Sequence, residues 1–152
     1  MSIFHGFNTS ASALTAQRLR MDVVSSNMAN ADTTRARLVD GEWQPYQRKM
    51  VVMKPNEKQP FASFLNQAMG KTSSTVGSGV KVSGIIGDQT PFKLVYNPEH
   101  PDANEEGYVQ LPNVDPLREM VDLMSATRSY EANVTTLNAS KNMLLKALEI
   151  GR

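Results

Sequence analysis

Apolar residues along this chain keep two different rhythms, one at the ends and one in the middle. From Pro112 to Arg152 they fall on a seven-residue beat with no internal Gly or Pro until Gly151, apart from Pro116 near the start. Leu123, Tyr130, Leu137 and Leu144 repeat by seven, and Met120, Thr127, Val134, Lys141 and Leu148 repeat three positions earlier in the cycle. That spacing predicts one long amphipathic helix with an a/d seam, interrupted at Thr127 and Lys141. Asp115 is placed to cap it, Pro116 suits its first residue, and Gly151 suits its end. Ala126, Asn133, Ser140 and Ala147 form a small-residue row beside the seam, which lets another helix approach closely. At about 1.5 Å per residue the helix is roughly 50 Å long, against about 30 Å for a compact domain of this size. Its seam is therefore expected to need a partner.

Residues 3–31 carry a second, weaker version of the same beat. Phe7, Leu14, Met21 and Met28 are seven apart, with Val24 and Ala31 at the companion position and Ser10 and Gln17 before them. Small residues from Asn8 to Ala16 pack closely but bury little area, so this helix is marginal when isolated. It ends in the polar run Asn27 to Thr34. Between Arg35 and Leu111 the pattern changes, and Val80, Val82 and Ile85 alternate with polar residues as a half-buried strand does. Tyr46–Met53, Val80–Ile86, Pro91–Tyr96 and Tyr108–Leu111 read as short strands between Gly and Pro breaks. Phe61–Met69 allows a helical turn or two, and the Ser-, Thr- and Gly-rich stretch at about 66–79 reads as a flexible loop. The expected fold is α+β. Long N- and C-terminal helices pair as a coiled-coil-like stalk, and a small β-rich middle domain separates them. In boundaries this gives 1–34 and 112–152 for the two halves of the helical domain and 35–111 for the middle.

Charge narrows the function classes. Lys and Arg number 16 against 15 for Asp and Glu, a net charge of +1, so no basic field gathers nucleic acid. The absence of Cys excludes disulfides and thiolate chemistry. No apolar run approaches the roughly 20 residues of a membrane span. Met1 to Gly6 lacks the basic start and apolar core of a cleaved signal peptide.

The densest polar cluster runs from Asn97 to Gly107. Its Asp102-x-Asn104-x-Glu106-Gly107 opening is similar to a calcium loop, but Asn113 stands where a bidentate Glu is required. Two prolines among Asp and Asn residues make a rigid self-bonded turn instead. His100, near Glu99 and Asp102, has no nucleophile beside it, and His5 sits in a helix start; both read as surface histidines. Gly77-Ser78-Gly79 precedes a strand rather than a helix, so it makes no phosphate cradle. Met21, Met28, Met120 and Met124 lie on or beside the seams, where adaptable packing explains them. Arg18, Arg20, Arg118, Arg128 and Glu131 read as solvated positions off the seam. No catalytic constellation emerges, and neither a cofactor nor a small-molecule substrate is expected.

Several of these stretches together carry a family resemblance. Ser12 to Arg18 and Ser25 to Thr34, including Asn27, Asn30 and Thr33, resemble the N-terminal signature of bacterial flagellar rod and hook proteins. Asn97, Pro98, His100, Pro101 and Asp102, then Gly107-Tyr108-Val109 and Pro112 to Asp115, are similar to the proximal-rod type in particular. So are Glu119 to Asp122, Arg128 to Asn133 with Tyr130, Glu131 and Asn133, and the ending Ala147 to Arg152. Thr34-Arg35-Ala36-Arg37 stands where hook and distal-rod relatives tend to carry Pro-Gly-Tyr, which again fits the proximal type. The resemblance covers nearly all the chain except about Glu57 to Gly79.

It implies a non-enzymatic subunit of the flagellar basal body that leaves through the type III export apparatus without a cleaved signal. The implied location is a rod crossing the periplasm. The implied partners are copies of itself, other rod proteins, the rod–ring adaptor and the inner-membrane ring. The terminal seams are expected to stay largely disordered in the free chain and to order on assembly. The expected assembly interface comprises Phe7, Leu14, Met21, Val24, Met28, Met120, Leu123, Tyr130, Val134, Leu137, Leu144 and Leu148. Two other classes fit the residues alone: a non-polymerising coiled-coil adaptor that binds a partner helix through the C-terminal seam, and a calcium-dependent binding module.

Overall fold

The computed structural model of the chain describes residues 4–39, 41–56, 68–69 and 79–150. Helix α1 spans Phe4–Ala29 and helix α2 spans Pro116–Ile150. The cap read from the sequence is present: Asp115 Oδ1 accepts the Leu117 N–H at 3.1 Å, and its carbonyl accepts the Glu119 N–H at 3.0 Å. Pro116 takes the first helical place, where its missing N–H leaves nothing unsatisfied. Asn30 closes α1. Its N–H reaches the carbonyls of Ser26 and Asn27 at 3.2 Å, its side-chain amide donates to Ser26 O at 2.9 Å, and Thr33 Oγ1 donates to Asn30 Oδ1 at 3.2 Å. Gly151 and most of the loop at about 66–79 lie outside the described residues, as does the turn at 61–69 except Ala68 and Met69.

Between the helices the strands pair two by two. β1 (Arg37–Val39) pairs antiparallel with β2 (Glu42–Gln44), and β3 (Lys49–Pro55) pairs with β4 (Val80–Gly87). β5 (Lys93–Tyr96) pairs antiparallel with β6 (Tyr108–Leu111). β3 to β6 match the expected strands, so the α+β class holds. The β1–β2 hairpin was not expected, and Gly41 at its turn has φ +90°. Each pair leaves an outer edge free of strand neighbours among the described residues.

The chain forms two compact units. The first comprises Met1–Arg18, Met53–Ser83 and Arg128–Arg152; the second comprises Leu19–Val52 and Gly84–Thr127. In the first, the small residues of α1 admit the start of β4. The Val80 N–H donates to Ser12 Oγ at 3.1 Å, while Ser12 Oγ donates to Thr9 O at 2.7 Å. A Cβ at Gly79, whose φ is +69°, would lie 2.6 Å from Ser12 Oγ. The second unit holds nearly all of the apolar core: Val23, Val24, Tyr46, Val109, Val114 and Ala126. Ala16 is the only comparably buried apolar side chain of the first unit among the described residues.

α2 turns a particular stripe inward. Glu119 and Ala126 are fully buried, Asn133 and Ser140 half-buried, each seven residues after the last. Leu123, Tyr130, Leu137 and Leu144 flank that stripe and are half-buried. Met120 and Leu148 are 48% and 72% exposed. Small side chains allow the close approach, and Glu119 fixes the rotation of the helix because its partners are interior.

Candidate assembly site

Arg48 lies just ahead of β3, between Gln47 and Lys49, where a charge would ordinarily face water. It is instead buried, at 6% exposure. Its Nε donates to Glu119 Oε1 at 2.6 Å, Nη1 lies 3.4 Å from Asp88 Oδ2, and Nη2 lies 3.5 Å from Asp122 Oδ2. Asp122 also takes Arg20 from α1 at 3.2 Å. Glu119 and Asp122 sit three residues apart on one face of the first turns of α2, where the positive end of the helix dipole favours acids.

Asn27, fully buried near the end of α1, completes the arrangement. Its Nδ2 donates to Glu119 Oε2 at 3.0 Å and to Lys49 O at 2.8 Å. Its Oδ1 accepts from Lys49 N at 2.9 Å and from the Tyr46 hydroxyl at 3.1 Å. Asn113 performs the matching task before α2: its Oδ1 accepts the Arg48 N–H at 2.8 Å, and its amide donates to Asp88 O and Thr90 O. Burial by itself would lower the Arg48 pKa, but the bonds and charges of Glu119 and Asp88 outweigh it and the net shift is upward. Asp88 is held below the usual carboxylate range, first by the Thr90 hydroxyl and backbone N–H and then by Arg48. Such a network is costly to leave half-made, so it fixes where α1 ends, where α2 begins and which faces they turn together.

Asp102 does similar work at the surface. It accepts from Thr34 Oγ1 at 2.7 Å and pairs with Arg35, and both lower its pKa, Thr34 the more. His100 Nδ1 accepts the Asp102 N–H at 3.1 Å, and Asn97 N–H donates to Gly107 O at 2.9 Å. Pro98 packs against Gly107, and Pro101 is exposed. Asp102 thus ties the Asn97–Gly107 turn to the segment leaving α1.

Of the expected interface residues, Val24 is buried, and Phe7, Leu14, Met21, Met28, Leu123, Tyr130, Val134, Leu137 and Leu144 are half-buried. Thr127 Oγ1 meets Met21 Sδ at 3.5 Å in the second unit. In the first unit Phe4, Phe7, Lys141, Leu144 and Leu145 surround an open apolar hollow of about 150 Å³. Asn133 bonds back to Ser129 O at 2.8 Å, and Glu131 is exposed. Sequence reasoning did not select Arg48, Asp88, Asn113, Glu119 or Asp122 as site residues. The available signal was the Glu119–Asp122 spacing at a helix start together with one Arg in a strand-like run.

Two segments of the chain, one near each end, match family models. Residues 7–37 match the family model described as "Flagella basal body rod protein", and residues 105–150 match "Flagellar basal body rod FlgEFG protein C-terminal". The "Flagellar basal-body rod protein FlgC" of Bacillus subtilis (strain 168) is 64% identical over 152 residues, covering all of both chains. The chain belongs to the FlgC family of flagellar basal-body rod proteins. Proteins of the same name from Escherichia coli O6:H1 and Borreliella burgdorferi are 45% and 42% identical over 152 and 156 residues, covering 98% or more of each chain. The chain is a structural rod protein rather than an enzyme. The two matched segments hold Asn27 on one side and Asn113, Glu119 and Asp122 on the other, whereas Arg48 and Asp88 lie in neither. The middle of the chain therefore supplies the charge that joins its two family segments. No helix among the described residues is long and apolar enough to cross a membrane.

Proposed function

We propose that the chain polymerises through its terminal helices into a helical tube within the basal-body rod, transmitting torque and surrounding the export channel. The supporting observation is the uneven burial. The second unit has its own apolar core and polar network, while the first has one well-buried apolar side chain among its described residues. α2 also exposes apolar residues on both sides of its midpoint. Leu117, Met120, Val121 and Met124 recur at helical spacing near its start, and Met143, Leu145 and Leu148 lie near its end. Burying one Leu or Met contributes about 1.5–3 kcal/mol, whereas ordering a residue costs about 1–2 kcal/mol. Several neighbours must then contribute to hold the outer helical halves, and contacts of the head-to-tail kind continue into a filament.

On this reading the chain leaves through the flagellar type III export apparatus without a cleaved signal. It joins copies of itself and other rod proteins across the periplasm, near the rod–ring adaptor and inner-membrane ring. Leu137→Asp and Leu144→Asp test the seam. Each is expected to be secreted normally yet missing from isolated basal bodies, with loss of swimming. Normal incorporation of both variants would refute assembly through the seam. A stable one-to-one complex formed by residues 112–152 alone would instead favour the adaptor.

A further inference from the structure

Two surfaces of the second unit are complementary to each other in charge and in apolar character. The first is a hollow of about 640 Å³ between the β1–β2 hairpin and the end of β4. Ile85, Ile86, Phe92 and Tyr46 line it, together with Arg37 and Lys49, and no carboxylate does. Ile85 and Ile86 are neighbours on opposite faces of a strand, yet they are 48% and 50% exposed, so neither face of β4 is covered there. Lys49 Nζ lies 5.5 Å from the Tyr46 ring centre, and Arg37 is exposed without an ion-pair partner among the described residues.

The second surface is the β5–β6 hairpin. Tyr96 and Tyr108 face each other across the pair, edge to face with centroids 5.4 Å apart, and share their side with Leu94, while Tyr108 also borders a hollow with Trp43 and Pro45. Leu94, Tyr96 and Tyr108 are all exposed, the first two at 65%. The turn beyond them carries Glu99, Glu105 and Glu106, exposed and without ion pairs among the described residues. That turn is stiff. Asn104 Oδ1 accepts the N–H groups of Glu106 and Tyr108, Gly107 bonds back to Asn104 O, and Asp102 anchors the far side. A rigid lobe loses little freedom on docking.

We propose that the β5–β6 lobe of one copy docks into the β1–β4 hollow of the next. Its apolar strip packs against Phe92 and the β4 isoleucine that faces it, and its glutamates face Arg37 and Lys49. The occupant is a second copy of this chain, because this chain carries both the two-cation hollow and a three-carboxylate lobe with a matching apolar strip. Opposite charge selects this partner and register, and like charge rejects it. The contact is head-to-tail, so each bound copy offers a fresh hollow. This inference rests on the rod reading above.

The test is a charge swap in cells that lack any other copy of the protein, reading the amount of chain in isolated basal bodies. Arg37→Glu is expected to lower it at least about tenfold, as is the pair Glu105→Arg with Glu106→Arg. The three changes together are expected to restore it to within about twofold of the unmodified chain. Thermal melts of the purified variants within about 3 °C of the unmodified chain confirm that these exposed substitutions leave the fold intact. Unchanged incorporation of Arg37→Glu overturns the proposal. So does a combined variant no better than Arg37→Glu, in which case the hollow holds a different rod component. Absence of the unmodified chain from basal bodies would sink the rod reading and this contact together.

Discussion

Glu119→Ala is the sharpest perturbation of the buried network. Removing one member of a buried ion pair commonly costs about 3–5 kcal/mol, because the remaining charge has lost its compensation. Arg48 would retain Asp88 at 3.4 Å and Asp122 at 3.5 Å, whose side chains are 18% and 33% exposed. Asn27 Nδ2 would retain Lys49 O at 2.8 Å for one of its two N–H donors and lose the acceptor of the other, a neutral and smaller loss. The expected cost therefore sits at the low end, about 3 kcal/mol, or roughly 6–12 °C in Tm for a chain of this size. Replacing both partners, as in Arg48→Met with Glu119→Leu, removes the stranded charge. Asp88 keeps its bonds from Thr90, and Asp122 keeps Arg20. That double variant is expected to lose only about 1–2 kcal/mol, far less than the sum of the two single changes. Urea unfolding of the purified chain, followed by far-UV circular dichroism and tryptophan fluorescence, measures Glu119→Ala, Arg48→Met, Glu119→Leu and the double variant. Trp43 is the only tryptophan and belongs to the second unit, so its signal reports that unit. A loss under about 1 kcal/mol for Glu119→Ala, or strict additivity in the pair, would refute the network.

Gly107→Ala should destabilise by about 1–2 kcal/mol, because φ is +79° and the new Cβ would lie 3.0 Å from the Tyr96 ring. Gly84→Ala, with nothing within 4 Å and no positive φ, is the control and should change little in the same urea series. Acid should also weaken the fold. Asp88 and Asp102 have folded pKa values below their unfolded ones, so their stabilisation is present above about pH 4 and is lost as the pH falls through the folded values. In thermal melts, Asp102→Asn should therefore show a shallower fall in Tm below about pH 4 than the unmodified chain. An identical slope would show that Thr34 and Arg35 hold Asp102 no more tightly when folded.

The parts legible in the sequence were those written in periodicity and capping. Asp115 and Pro116 set the start of α2, the polar run Asn27 to Thr34 marked the exit from α1, and Gly and Pro breaks bounded β3 to β6. The β1–β2 hairpin escaped because its strands are three residues long, although Asp40-Gly41 is a recognised turn pair. The polar network escaped for a different reason. Hydropathy assigns Arg48 and Glu119 to water, and only the meeting of three distant segments makes their burial affordable. The same network sets the rotation of α2, so Glu119 and Ala126 face inward and Met120 is left 48% exposed. It also narrows the expectation of largely disordered ends. α1 from Leu19 to Ala29 and α2 from Pro116 to Thr127 are clasped within their own unit, and the proposal of ordering on assembly now concerns the outer helical halves.

Hydrogen exchange on the purified monomer and on the same chain in isolated basal bodies tests that proposal most directly. In the monomer, amides in 19–29 and 116–127 should be protected while those in 4–14 and 131–150 exchange quickly; in basal bodies all four stretches should be protected. Strong protection throughout both helices of the lone chain would contradict assembly-driven ordering, as would fast exchange of the outer halves inside the rod.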